Sequence, residues 1–461
     1  MTSHATTKEL QPVELVWDGK QHPPLSTVPV ITRTGQVGPG SRNVVVHGDA
    51  VQSLRALAGE PSYRGQARLV YLDPPYNTGK RFNHYNDSMD RASWLTMMRD
   101  LMVAARPLLA AEGSIWVHLD DSEVHRMRCV MDEVFGEDRF VTQIVWQKRT
   151  SRENRAAFSP NHDHILVYAN QGPVAWKATR NTLESSTSRT TKAHDIRTRH
   201  DTPKDAILDA RGPWMSVPFV AQGTRSGQMY DIVTPTGIVH TPPPGCCWRA
   251  TKARFDQLVA DDMIHWPRGG NGRPRVKKFT TTTDIVPHTI WLADEVGTTD
   301  EAKREVQALF GKNRVFDTPK PERILQRIIH IATNPGDLVI DPFAGSGTTA
   351  AVAHKMGRNW VTVEVEQATI AQFVEPRLRS VVQGTDDGGA STHTVRVSDQ
   401  DLPDGVSPEA ARRFVTLLNK FATLPGVDLD AVADLRRRAA TKETVERTWV
   451  GGGGFTLAET H

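Results

Sequence analysis

The sequence predicts an α/β protein with a mostly parallel, doubly wound sheet interrupted by an inserted domain. Three observations lead there. Short apolar runs alternate with helix-length amphipathic segments from residue 43 to 136. The same alternation returns over residues 323–365. Between them, from about 150 to 312, the chain is rich in Thr, Pro, Gly and Arg, with isolated tryptophans (Trp176, Trp214, Trp248, Trp266, Trp291), and the alternation breaks down.

Residues 1–41, rich in Pro, Gly and Thr, read as a loosely ordered leader. Asn43–Asp49 (NVVVHGD) reads as a buried strand that ends at a turn, and residues 50–58 as a helix. Arg68–Leu72 is a second strand, stopped by Asp73-Pro74-Pro75. A long helix is expected over residues 90–111, with Trp94, Leu95, Met98, Leu101, Met102 and Ala105 on one stripe and Gly113 as its stop. Ser114–Leu119 then reads as a strand, and residues 121–134 as a helix closed by Gly136. After the insert come a helix at Arg323–Ala332, a strand at Asp337–Ile340, a Gly-rich turn, a helix at Gly347–Lys355 and a strand at Trp360–Val365. Beyond 385 the chain is polar. Helices are expected at 407–423, capped by Ser407, and at 428–447, followed by a flexible tail at Gly451–Gly454. The resulting domains are a leader (1–41), a first part of the sheet domain (42–150), the insert (151–312), a second part (313–384) and a small helical C-terminal region with its tail (385–461). There is no internal repeat.

Hydrophobic residues make up 38% of the 461 and charged residues 24%, which is ordinary for a soluble globular chain. The N-terminus has no apolar secretory core, and no apolar run nears the roughly 18 residues needed to span a membrane. Cys129, Cys246 and Cys247 have neither metal-ligand nor disulfide-framework spacing, which fits a reducing cytoplasm. The formal net charge is +3, but residues 145–290 hold 21 Lys and Arg against 12 Asp and Glu. A basic middle is the footprint of a polyanion partner, or simply a solvated lysine- and arginine-rich surface.

Two motifs and one acid carry chemistry. Asp73-Pro74-Pro75-Tyr76 sits at the carboxyl end of a strand, where open α/β sheets place ligands. The prolines fix φ and remove two N–H donors, so the turn presents acceptors. An amino group could be held between the Asp73 carboxylate and the Pro74 carbonyl, with a base stacked on Tyr76. The alternative is a rigid turn with no ligand. Asp341-Pro342-Phe343-Ala344-Gly345-Ser346-Gly347-Thr348-Thr349 lies between a strand and a helix. Its glycines let backbone approach a ligand, and the helix N-terminus favours an anionic group; the alternative is a turn required only for packing. No Lys follows Gly347, so this is not a P-loop. Glu364, 17 residues beyond Gly347, is placed to accept hydrogen bonds from ribose hydroxyls, with Glu366 as competitor. His162 and His164 flank Asp163; a structural pair at a strand start is the reading adopted, and no metal is expected. Cys246-Cys247 reads as buried filler.

Taken together, GDAVQSLRAL, LVYLDPPYNTG, VFGEDRF, HDHILVYA, FDTPKPERIL and DPFAGSGTTA resemble the β class of DNA amino-methyltransferases, in particular the Mod subunits of type III restriction-modification systems. The similarity spans most of residues 43–170 and 314–366, with the DPPY string preceding the DPFAGSG string by 268 residues. The resemblance implies a circularly permuted, Rossmann-like, S-adenosylmethionine-dependent methyltransferase sheet with an inserted target-recognition domain. It implies methylation of N6 of a flipped adenine in double-stranded DNA, within restriction-modification or phage defence. N4-cytosine methylation, or a specificity subunit with vestigial catalysis, stands as the alternative. Asp73, Pro74, Pro75 and Tyr76 would hold the target amine. Asp341, Phe343, Gly345 and Gly347 would line the cofactor site, with Glu364 on the ribose, Asp49 near the adenine, and Lys320 and Pro321 at the methionine end. Arg149, Arg152, Arg155, Arg273, Arg275, Lys277 and Lys278 are the candidates for DNA contact. A homodimer and a Res-type nuclease are the protein partners open to such a chain, and its place is the cytoplasm, at the nucleoid.

Overall fold

A computed structural model describes residues 14–21, 29–79, 87–155, 157–183, 214–279, 285–314, 316–398, 400–403, 406–424 and 426–461. The chain divides into two compact units, Thr182–Val286 and the remainder.

The larger unit is built on a ten-stranded sheet. Its strands, in chain order, are Ile31–Val37 (β1), Val44–His47 (β2), Ala67–Leu72 (β3), Leu109–Leu119 (β4), Phe140–Gln147 (β5), His162–Ala169 (β6), Ile290–Trp291 (β7), Leu338–Asp341 (β8), Asn359–Glu364 (β9) and Phe455–Thr460 (β10). They lie in the order β1-β10-β2-β9-β8-β3-β4-β6-β5-β7. From β10 to β4 every ladder is parallel. β6 runs against both neighbours, and β1 runs against β10. β2, β3, β8 and β9 are almost continuously apolar and buried, as parallel strands covered on both faces must be.

Helices Ala50–Gly59 (α1), Arg91–Ala105 (α2) and Val124–Phe135 (α3) follow β2, β3 and β4. Asp49 caps α1 by accepting from Gln52 N at 2.9 Å, and Asp90 caps α2 through Ala92 N and Ser93 N. The α2 stripe expected from spacing (Trp94, Leu95, Met98, Leu101, Met102, Ala105) is buried in the core. Removing each large apolar side chain from water contributes roughly 1.5–3 kcal/mol. After the insert, Glu322–Ala332 (α4), Thr348–Lys355 (α5) and Glu375–Gln383 (α6) complete the layers.

Several local expectations are corrected. α2 ends at Ala105, not 111: Pro107 turns the chain through a 3₁₀ segment, Arg106–Leu108, directly into β4. Gly113 lies within β4 and is not a helix stop; a Cβ there would stand 2.5 Å from Ala67 O on β3. The leader contains β1. The compact inserted unit, Thr182–Val286, is narrower than 151–312, because the buried run His164–Ala169 belongs to β6 and Ile290–Trp291 to β7.

The C-terminal region departs most. The helix Pro408–Phe421 forms, but the next one stops at Arg438. Thr441–Arg447, rich in β-branched residues, is a strand paired with Thr392–Ser398. The glycine run is no flexible tail. It lets the chain cross against the 37–39 backbone, where a Cβ on Gly454 would lie 2.3 Å from Pro39 O. The chain then enters the central sheet as β10.

The smaller unit holds a three-stranded sheet (Ile264–His265, Arg275–Phe279 and Trp214–Pro218) and two short ribbons. Its core is Phe219, Ile232, Trp248, Phe255 and Ile264, with Trp266 against it. Among the described residues no helix is long and apolar enough to cross a membrane.

Candidate active site

Five parallel strands, β2, β9, β8, β3 and β4, end side by side, and each end is followed by or carries an acid: Asp49, Glu364, Asp341, Asp73 and Asp120. These acids line one cleft of about 590 Å³. The two distant motifs therefore meet: Asp73–Tyr76 and Phe343–Ser346 face the same space, joined by Asp317–Lys320 and Phe316.

At the β3 end, the Tyr76 hydroxyl donates to Asp73 Oδ1 at 3.1 Å. Lys320 Nζ donates to both Asp73 oxygens, at 2.8 and 2.6 Å, and lies 5.3 Å from the Tyr76 ring centroid. Trp94 Nε1 donates to Pro75 O at 2.7 Å, tying the turn to α2. The next residue, Asn77, has φ +58°, a left-handed backbone uncommon outside glycine. Buried Asp87 holds it there, accepting from Asn77 N at 2.8 Å and Thr78 N at 3.1 Å. Burial, with Asp73 adding, pushes the Tyr76 phenol well above its ordinary value, so it remains a donor.

Beneath Tyr76 lies a polar group that sequence reading missed. His118 of β4, fully buried, stacks on Tyr76 with ring centroids 6.2 Å apart and planes 25° from parallel. Tyr71 OH is 3.0 Å from His118 Nδ1, and Nε2 faces Asp163 Oδ2 at 3.6 Å. Burial, then Lys320, lowers the His118 pKa, against the opposing pull of Asp163 and Asp73. Asp163 resists burial through His118 and Lys148, whose Nζ stands 2.5 Å away, and stays below its ordinary pKa. The available signal was positional: His118 is one residue from the end of a strand adjacent to β3.

At the β8 end, Gly345 has φ +51° and Gly347 +77°. A Cβ on Gly347 would meet Val374 Cα at 3.3 Å, and one on Gly345 would meet the Phe316 ring at 3.2 Å. Glu364 anchors the turn, its Oε2 accepting from Gly345 N at 3.0 Å and its Oε1 from Glu366 N at 3.1 Å. Of the two candidate acids, Glu364 is half-buried and tied to the turn, while Glu366 is exposed.

Asp341, 3% exposed, accepts from Phe343 N at 2.9 Å. Burial, reinforced by Asp73 and Glu364, pushes its carboxyl up to about 8. Between about pH 4 and pH 8 the folded chain keeps this proton and the unfolded chain loses it. Its contribution to stability therefore falls as pH rises through that window and levels off above it, at about 1.4 kcal/mol per unit of pKa difference. Asp341→Asn is expected to melt higher than the parent at pH 8, by a wider margin than at pH 5. Parallel melting profiles would contradict this.

Asp49 lines the cleft beside Ala50 while capping α1. Pro321 directly precedes α4. Exposed Arg149 lines the cleft, and Arg152 and Arg155 follow it, exposed, after β5. In the smaller unit Arg273 is exposed, but Arg275 donates to Ser216 and Lys277 pairs with Asp262 at 2.7 Å, so these two are engaged within their own sheet. Lys278 occupies the same strand, opposite Met215.

The sequence matches the DNA methylase family over residues 67–375. It is 32% identical over 341 residues to the StyLTI Mod subunit, a type III restriction-modification enzyme of Salmonella typhimurium, covering 67% of this chain and 49% of that one. It is 31% identical over 307 residues to the type II methyltransferase M.EcaI of Enterobacter cloacae, covering 65% and 62%. The chain thus spans about half the length of the first relative. A solved structure of the PvuII cytosine-N4-specific DNA methyltransferase aligns with a TM-score of 0.36 at 11% identity, over 86% of this chain and 92% of that one.

Proposed function

The chain belongs to the DNA methylase family, and from that premise we propose that it transfers a methyl group from S-adenosylmethionine to N6 of an adenine flipped out of double-stranded DNA. The single observation that carries this reading is the shared cleft, in which an acceptor turn (Asp73–Tyr76) faces a glycine turn (Phe343–Ser346).

The residues at the glycine turn fit the cofactor. Gly345 permits close backbone approach, Glu364 is fixed to receive ribose hydroxyls, Phe343 and Phe316 supply apolar walls, and Asp49 and Lys320 line the same cleft, whereas Gly347 packs against Val374 and does not line it. When bound, the cofactor supplies an electrophilic methyl on a sulfonium. Glu364→Ala is expected to weaken its binding about tenfold or more in a calorimetric titration, since the turn loses both its anchor and its ribose acceptor. Unchanged affinity would remove Glu364 from the cofactor site.

Asp73 and the Pro74 carbonyl do the positioning. Accepting hydrogen bonds from both amine protons localises a lone pair that is otherwise delocalised into the ring, and directs it at the methyl carbon. The N–C bond forms as the S–C bond breaks, and the surplus amine proton leaves by way of Asp73 to water. Lys320 already shows that Asp73 can hold a nitrogen donor at 2.6–2.8 Å. The target amine must displace it. With Lys320 withdrawn, Tyr76 offers a face for stacking, worth roughly 1–3 kcal/mol against the few kcal/mol of flipping. Asp, and not Ser, before Pro-Pro-Tyr favours adenine.

The unit Thr182–Val286 is the proposed target reader, with Arg273 as an exposed cation for phosphates or guanines; in the larger unit, Arg149, Arg152 and Arg155 are exposed cations for phosphate contact. A restriction subunit is the partner this reading implies. The test is transfer of labelled methyl from S-adenosylmethionine to DNA by the purified chain, followed by identification of the modified nucleoside. N6-methyladenine is expected. N4-methylcytosine would shift the base assignment, and no transfer would overturn the reading.

A further inference from the structure

We propose that Asp121, His162 and His164 form a binding site for one divalent transition-metal ion of the zinc class, outside the catalytic cleft. Asp121 follows the end of β4, and the two histidines open β6. One ligand atom from each, together, lies within 4.8 Å of the others. Asp121 Oδ1 is 2.8 Å from His164 Nε2 and 3.8 Å from His162 Nε2. A tetrahedral ion with ligands at about 2.0–2.1 Å needs neighbouring donors roughly 3.4 Å apart, so closing the set takes rotation of exposed Asp121 together with adjustment of the half-buried His162 ring.

The strand itself builds the pair. Residues two apart share a face, so His162 and His164 point together, with rings 4.9 Å apart, while Asp163 points to the other face and into the cleft. His164 is held from behind by Gln143, whose Nε2 donates to Nδ1 at 2.8 Å, and His164 Nε2 faces Asp121 Oδ1 at 2.8 Å. Metal binding at His164 Nε2 therefore moves the ring proton to Nδ1, and a flip of the Gln143 amide would let its oxygen accept that proton as the orienting contact. Two imidazoles and one carboxylate, open to water on the Asp121 side, suit zinc, cobalt or nickel more than magnesium or calcium. An ion there would clamp the start of β6 to the end of β4, and so hold Asp163 against His118 beneath Tyr76. This assignment reverses the structural-pair expectation for the two histidines, and it stands independently of the methyl-transfer reading.

The experiment is calorimetric titration of the full chain with Zn²⁺, together with Co²⁺ absorbance and thermal melting. One equivalent is expected to bind and to raise the melting temperature. His162→Ala and Asp121→Asn, both at partly exposed positions, should each weaken binding by about tenfold or more and remove the thermal shift. Cys129→Ser, which removes an exposed thiol, should leave both unchanged. Absence of stoichiometric binding, or full binding in either ligand variant, would overturn the site.

Discussion

Asp73→Ala is expected to lower methyl transfer by about three orders of magnitude or more, while S-adenosylmethionine binding changes only a few-fold. The size follows from what the carboxylate does. Single preorganised groups that act on charge developing in the transition state are worth about 10²–10³ each. Asp73 additionally fixes the Tyr76 hydroxyl and lies at the centre of the turn. Gly345, in the turn after β8, and Glu364, at the end of β9, are held to each other and not to Asp73, so that contact is kept. One complication is Lys320, which loses its partner. Asp73→Asn keeps one acceptor oxygen and nearly the same volume, yet places an N–H₂ where the amine must donate. It should be almost as inactive. Labelled-methyl transfer paired with cofactor calorimetry separates the outcomes, and turnover near that of the parent in either variant would defeat the mechanism.

The largest expected loss of stability lies away from the chemistry. Glu322, directly after Lys320 and Pro321, is 1% exposed and sits in a buried ionic cluster. Both its oxygens accept from Lys355 Nζ at 2.9 Å, Oε1 also accepts from Arg377 at 2.8 Å, and Oε2 from Ala390 N at 2.7 Å. Lys355 further pairs with Asp386 at 2.8 Å. Burial opposes the charge on Glu322, but Lys355 and Arg377 outweigh it and keep the carboxyl below its ordinary pKa. Glu322→Ala would leave Arg377 without its buried counter-charge and Lys355 with Asp386 alone, a change that costs about 3–5 kcal/mol and on the order of 5–10 °C of melting temperature. Arg377 also donates to Ser346 O and Thr348 Oγ1 in the glycine turn. The same substitution should therefore weaken cofactor binding, although Glu322 does not line the cleft. A variant that melts with the parent would show that the cluster can rearrange.

What the sequence disclosed was local. Asp73-Pro74-Pro75-Tyr76 and the glycine turn announce themselves through unusual backbone chemistry, and the α2 stripe through period. What it concealed was pairing between distant segments. Nothing near His118 indicates that β6 will bring Asp163 beside it, or that β3 will bring Tyr71. Glu322 looks like an ordinary first-turn acid until α5 and α6 surround it with cations. Lys320 was expected at the methionine end of the cofactor; no local feature ties it to Asp73, 247 residues away. The four glycines at 451–454 have the composition of a loose tail, and only contact with residues 37–39 gives them a fixed course.

The position of β10 bears on how the protein is made. Val44–His47 is made well before its neighbour on one side, Phe455–Thr460, which emerges after more than 400 intervening residues. Until then one edge of this apolar strand stays unpaired, open to the wrong partner. Cellular holding factors, or slow release from the ribosome, would have their greatest influence on yield here. Translation that stops short of residue 455 should give material that clumps even though every residue of the cleft is present.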